Sequence, residues 1–251
     1  AVLGSEVERY VLLPLARQLV YSSREDLIPE FKDYRTVLEG LGQQAGSDTG
    51  PDLSPPFPAT TREAFRWLGE NIAGHRAEQI YDALLNALAQ SMLHFDISYD
   101  FAHDRSVNGN VSWLDFTHGL TFSNAVRVIC DRYPQLWPQG LLQMACFLGR
   151  NSSFLDRNIR EEDWRVSDSG AFFDDSFEKL LDHGFRDPIF SAHLVKTSLA
   201  VRAELPTASA PTAGVLLASL NRFLNSPLKA KHGRRLARQA IALVARDFEE
   251  G

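Results

Sequence analysis

The chain has 251 residues, 44% of them hydrophobic and 23% charged, with a formal net charge of −6. That balance describes an ordinary globular protein long enough to bury a real core. It argues against a general nucleic-acid binder, whose phosphate contacts need a basic surface, and no uninterrupted apolar run reaches the roughly 18 residues needed to cross a membrane.

Ser5 to Tyr21 reads as a helix, with Glu6 and Glu8 in the first turn, where the helix dipole favours acids. Its apolar run, Val11 to Val20, is broken by Pro14 and Arg17 and makes a poor signal peptide. Arg24 to Leu38 reads as a second helix, with Gly40 and Gly42 as stop signals. Gly42 to Thr60 is rich in Gly, Ser and Pro, and a loop of that length is a linker or a surface strap. Thr61 caps a short helix, Arg62 to Ile72. Ala77 to Phe95 follows as an amphipathic helix with Ile80, Tyr81, Leu84, Leu88, Met92 and Phe95 on its apolar face and His94 on the flank. Asp100 to Asn110 is a loop. Its His103-Asp104 pair resembles part of the H…HD…D pattern of metal phosphohydrolases, but that pattern needs a helix and this stretch is rich in Gly and Asn.

Ser112 to Tyr133 organises the chain. Ser112 with Asp115 forms a short-armed capping box, Val111 and Phe116 stand at hydrophobic-staple spacing, and Pro134 closes the helix. At about 100° per residue, Leu114, Ala125, His118, Ile129, Phe122, Tyr133 and Val126 share one arc. Trp113, Phe116 and Leu120 lie opposite, so the helix is apolar nearly all round and belongs in the middle of a domain, with His118 expected in its buried arc.

Gln135 to Leu148 is another helix. Asn151 to Asp187 is dense in acids and aromatics, with a short helix at Asp174 to Leu181, and serves as a packed loop or a lid. Pro188 fits the first position of a helix capped by Asp187 and continuing through Ile189 to Val201, on which His193 and Lys196 stand about 60° apart. Helices at Gly214 to Leu224 and Arg234 to Phe248 finish the chain. The second of these starts with Lys229, Lys231, His232, Arg234, Arg235 and Arg238, a solvated face or a contact for an acidic partner. No period-two alternation or internal repeat is present. The expected architecture is a single all-α domain over 1–251, about eight to ten helices around a buried central one at 112–133, with a strap at 42–60. Cys130 and Cys146 fall on helices without a C-x-x-C pair, which suits small core residues in a reducing, cytoplasmic setting.

The sequence has no G-x-S-x-G elbow, G-x-G-x-x-G, P-loop or H-E-x-x-H. Chemistry then falls to His94, His118 and His193, one from each of three helices, with Asp115 three residues before His118. Inward carboxylates and histidines on facing helices build metal sites in bundles, and two histidines with one carboxylate suit non-haem iron. The same histidines also read as core residues bonded to backbone carbonyls, and Asp115 as a cap alone. Lys196 must be paired or used, because an unpaired buried cation is costly. A Lys196–Asp115 pair inside the core accounts for both without catalysis.

The run WLDFTHGLTFSNAVR, followed later by HLVK, resembles the histidine-bearing helices of questin oxidase-like proteins and the helical domain attached to some Rieske-type iron–sulfur proteins. The likeness covers about a third of the chain in short motifs. It implies an all-α oxidative enzyme with His118 and His193 at the family's histidine positions. No Cys-x-His pair exists here, so the chain carries no Rieske cluster of its own. Three readings follow. One is an oxygenase-like oxidoreductase acting on a bulky aromatic or polyketide-like small molecule, with His118 as ligand or general base, His193 as its partner, and Lys196 or Arg127 neutralising oxyanion charge. The second is a helical ligand-binding module, and the third a domain docking on a redox partner.

Overall fold

The computed structural model describes residues 5–21, 32–41, 53–101, 111–181, 188–227 and 241. The whole basic cluster from Lys229 to Arg238, His103-Asp104, the cap Asp187 and nearly all of the predicted last helix lie outside them, as does the first part of the predicted second helix. All regular structure in the described residues is helical: α1 Ser5–Tyr21, α2 Tyr34–Leu41, α3 Thr61–Asn71, α4 Ala77–Leu93, the short α5 Ser98–Phe101, α6 Trp113–Arg132, α7 Trp137–Asn151, α8 Ser169–Leu181, α9 Pro188–Glu204 and α10 Ala210–Asn225. The all-α expectation therefore holds. None of these helices is long and apolar enough to cross a membrane.

Most boundaries follow from local chemistry. Ser112 and Asp115 form the predicted capping box at the start of α6, and Val111 and Phe116 are both buried beside it. Thr60, one residue earlier than expected, caps α3 by accepting from the Glu63 N–H at 3.2 Å. α2 starts ten residues later than the expected Arg24 and runs through Gly40 to Leu41. Pro134 closes α6 as expected, the helix ending at Arg132 with Tyr133 as its C-cap. It also opens a single 3₁₀ turn, Pro134–Leu136, that leads into α7.

Cross-helix hydrogen bonds give the directions. Ser209 at the start of α10 donates to Asp82 near the start of α4, at 2.7 Å from its hydroxyl and 2.9 Å from its N–H. At the other ends, Arg222 donates to the carbonyls of Leu93 and Phe95 at 2.6 and 2.9 Å. α4 and α10 are therefore parallel neighbours, and the Arg222 cation closes the negative end of α4. Arg222 itself is buried, 5.3 Å above the Trp113 ring. Phe95, Trp113, Phe116 and Phe223 pack around it with ring centroids 4.6–5.3 Å apart. α4, buried along most of its length, touches α6, α7 and α10, while α6 touches α4, α7 and α9.

Close approach of helices is bought with small residues at two crossings. A Cβ on Gly140 of α7 would lie 2.5 Å from Val126 Cγ1 of α6. At Gly149 the obstacle is backbone: a Cβ there would collide with Thr61, 2.6 Å from its N atom. A flexible side chain can yield and a helix start cannot, so Gly149→Ala is expected to destabilise the fold by about 1–3 kcal/mol through overpacking. The change should appear in urea denaturation as a lower midpoint with an unchanged slope.

Candidate functional site

α6 turns Leu114 and Val126 of its predicted arc inward and leaves Phe122 half-buried, but not the rest of that arc. Ala125, His118, Ile129 and Tyr133 are exposed, whereas Trp113, Phe116, Thr117, Leu120, Ser123 and Cys130 are buried. The expectation of a buried His118 is thus corrected. A helix apolar on all sides gives no net direction, and the choice falls to shape. Trp113 and Phe116 fill the aromatic core, and Gly119 lets Leu88 approach so that a Cβ there would sit 3.2 Å from its Cδ2.

His118 nevertheless meets His193 of α9. Their Nε2 atoms are 2.9 Å apart, with the ring planes at 54°. His193 is 9% exposed, and its Nδ1 lies 2.6 Å from the Ile189 carbonyl oxygen one turn earlier. A carbonyl only accepts, so Nδ1 of His193 carries the proton and its Nε2, in the neutral ring, carries the lone pair. His118 must then donate through its own Nε2–H. That leaves the Nδ1 lone pair of His118 without a partner among the described residues, on a side chain open to solvent.

Partial desolvation of the ring where it meets His193 lowers the His118 pKa to about 4, reinforced by Lys196 and then His193, with Asp115 opposing. His193 is lowered too, chiefly by burial and also by Lys196, against the pull of the Ile189 hydrogen bond. Both rings are neutral at pH 7. Lys196 is half-buried and lowered by desolvation, and no carboxylate among the described residues pairs with it. The Lys196–Asp115 pair does not form. Asp115 instead accepts the Ser112 N–H at 2.9 Å and stands 3.7 Å from Arg150.

The remaining sequence candidates lie elsewhere. Arg127 donates through Nε to Glu204 at 2.8 Å and through Nη2 to the Ala203 carbonyl at 3.1 Å, so its guanidinium is committed to α9. His94 donates through Nδ1 to the Gln90 carbonyl at 2.8 Å and lines a separate cavity near the C-terminal end of α4. His118, His193, His94 and Asp115 do not form one ligand set: among the described residues no three His, Cys, Asp or Glu side chains come together to hold a metal ion. A non-haem iron centre needs a third protein ligand beside the two histidines. Here the nearest spare side chain is the Lys196 cation, so the residues present do not fit iron.

One group that sequence reading missed controls the geometry. Glu204, 1% exposed, accepts from Tyr81 of α4 at 3.0 Å, Asn124 of α6 at 2.6 Å and Arg127 of α6 at 2.8 Å. Burial, then the Glu204 charge, raises the Tyr81 pKa and keeps its hydroxyl neutral. A signal was present. Glu204 is eleven residues after His193, which brings it back to within about 20° of the same helix face.

No protein-family model, curated protein or solved structure matches the chain.

Removing the Glu204 carboxylate would leave a largely buried guanidinium with only the exposed Asp131 carboxylate, 3.4 Å away, as its ion-pair partner, so Glu204→Ala is expected to cost about 3 kcal/mol in chemical denaturation. A second expectation concerns acid. An unfolded imidazole takes up its proton near 6.5, but His118 in the fold waits until about 4. Stability present above pH 6.5 is therefore lost as the pH falls toward 4. His118→Gln should flatten that part of the melting-temperature curve, measured calorimetrically between pH 7 and 4.

Proposed function

We propose that the chain is an oxygenase-like oxidoreductase in which His118 abstracts a proton from a bulky phenolic or enolisable aromatic small molecule. The observation that carries this reading is the relay from the Ile189 carbonyl through His193 to His118, which fixes the tautomer of an exposed base. A base held by a second side chain and backed by a third group is the arrangement general-base catalysis requires. The half-buried Lys196, without a carboxylate partner among the described residues, supplies the cation for the anion so formed. A bound anion beside Lys196 also cancels the charge that depresses His118, so the imidazole becomes a stronger base when substrate arrives.

The chemistry balances with dioxygen as oxidant. His118 takes the acidic proton, from the O–H of a phenol or the C–H of an enolisable substrate, the nucleophilic carbon of the resulting anion adds to dioxygen, and the peroxide anion recovers the proton, so that substrate and O₂ combine into one hydroperoxide with no atom lost. No resident metal and no separate electron donor take part in this scheme. The resemblance of the α6 and α9 motifs to questin oxidase-like proteins supports the substrate class, and the two buried free cysteines suit a reducing, cytoplasmic location.

The experiment is oxygen uptake by the purified protein with a panel of polycyclic phenols and hydroxyquinones. His118→Phe should lower turnover by about 100-fold or more while the melting temperature holds or rises. Lys196→Met should lower turnover and leave folding intact. The acid limb of kcat/KM should fall well below the pH of an ordinary histidine, because the free base protonates only near 4. A His118→Phe protein with full oxidative activity, or no uptake with any member of the panel, overturns the reading.

A further inference from the structure

The cavity beside His94 has no part in the reaction above. It encloses about 350 Å³ between α4, α7, the strap before α3 and the residues after α7, within the range of small-molecule sites. Phe57, Leu148 and Leu155 give it apolar walls. The roof is tied down where Ser152 Oγ lies 2.8 Å from the Ala59 carbonyl. The floor is tied by the Asp156 N–H donating to the His94 carbonyl at 2.7 Å and the Asp96 N–H donating to the Phe154 carbonyl at 2.9 Å.

Its polar groups are held ready and only partly spent. His94 uses Nδ1 on its own helix, which leaves Nε2 as the ring nitrogen available to a ligand. Gln90 is held by its Nε2–H donating to Glu161 at 3.1 Å, with its carbonyl oxygen left over. Ser91 is 3% exposed, and its hydroxyl makes no hydrogen bond, although a mid-helix serine ordinarily bonds back to a carbonyl of the preceding turn. A buried hydroxyl with no partner is costly and calls for an explanation. Arg157 brings the one permanent charge among the lining residues and makes no ion pair with the described residues.

We propose that this cavity binds a small carboxylic acid with a compact apolar body, the carboxylate on Arg157 and the body between Phe57 and Leu148. An apolar slot with a single cation at its wall selects an anion with a greasy tail, and guanidinium pairs best with a planar carboxylate. The Nε2 atom of His94 contacts the polar end of the ligand.

The test is an NMR titration of the full isotopically labelled chain with octanoate and 1-naphthoate, each beside its primary amide. Saturable shifts are expected at Gln90, Ser91, His94 and residues 148–157, with the carboxylates binding about tenfold or more tighter than the amides. Arg157→Gln should bring the carboxylates down to the amide level. His118→Phe should bind unchanged, which separates this site from the proposed reaction. Three results each overturn the proposal: no saturable shift at millimolar carboxylate, equal binding of acid and amide, or full affinity in Arg157→Gln.

Discussion

The Glu204 carboxylate is the pin on which the site hangs. It sits at the C-terminal end of α9 and collects donors from two other helices, Tyr81 on α4 and Asn124 with Arg127 on α6. A buried charge tolerates few arrangements, because every lone pair must find a donor in a place where water cannot help. Once those donors are met, α9 cannot slide or rotate against α6. About three turns away, His193 then arrives opposite His118 at hydrogen-bond distance. Two anchors on parallel helices fix rotation and translation together, which one contact between two flexible side chains does not.

The same logic separates the two polar regions of the protein. Around Glu204 and Arg222 every strong charge is answered: Arg222 spends its donors on the end of α4, and Arg127 on the end of α9. Around His118 and Lys196, and again around Ser91 and Arg157, capacity is left over.

Helix content and many boundaries were legible in the sequence, because they depend on local chemistry. Ser112 and Asp115 make a cap visible within four residues, and the apolar periodicity of Ala77–Leu93 fixes both a helix and its inward face. The orientation of α6 was not legible. Its apolar residues point in all directions, and the buried side was chosen by the fit of Trp113, Phe116 and Gly119 against residues far away in the chain. The pairing of His193 with His118 followed from expecting two histidine-bearing helices to pack together. The separation of His94 did not, since it stands at the C-cap of α4 and its ring turns back to the Gln90 carbonyl. Arg127 was taken for a free cation because its partner is 77 residues away, and a separation that long leaves no local pattern.

That separation also has a kinetic meaning. The contacts joining α6 to α9 span 75–80 residues: 75 between the histidines, 77 from Arg127 and 80 from Asn124 to Glu204. Closing so long a loop costs chain entropy before any contact rewards it, so docking of α9 belongs late in folding, after α4, α6 and α7 have found one another. The imidazole pair is then assembled only in a finished molecule. Opening of α9 alone disperses it while most of the aromatic core stays intact, so the pair would be lost in a partly unfolded population before the helical signal is.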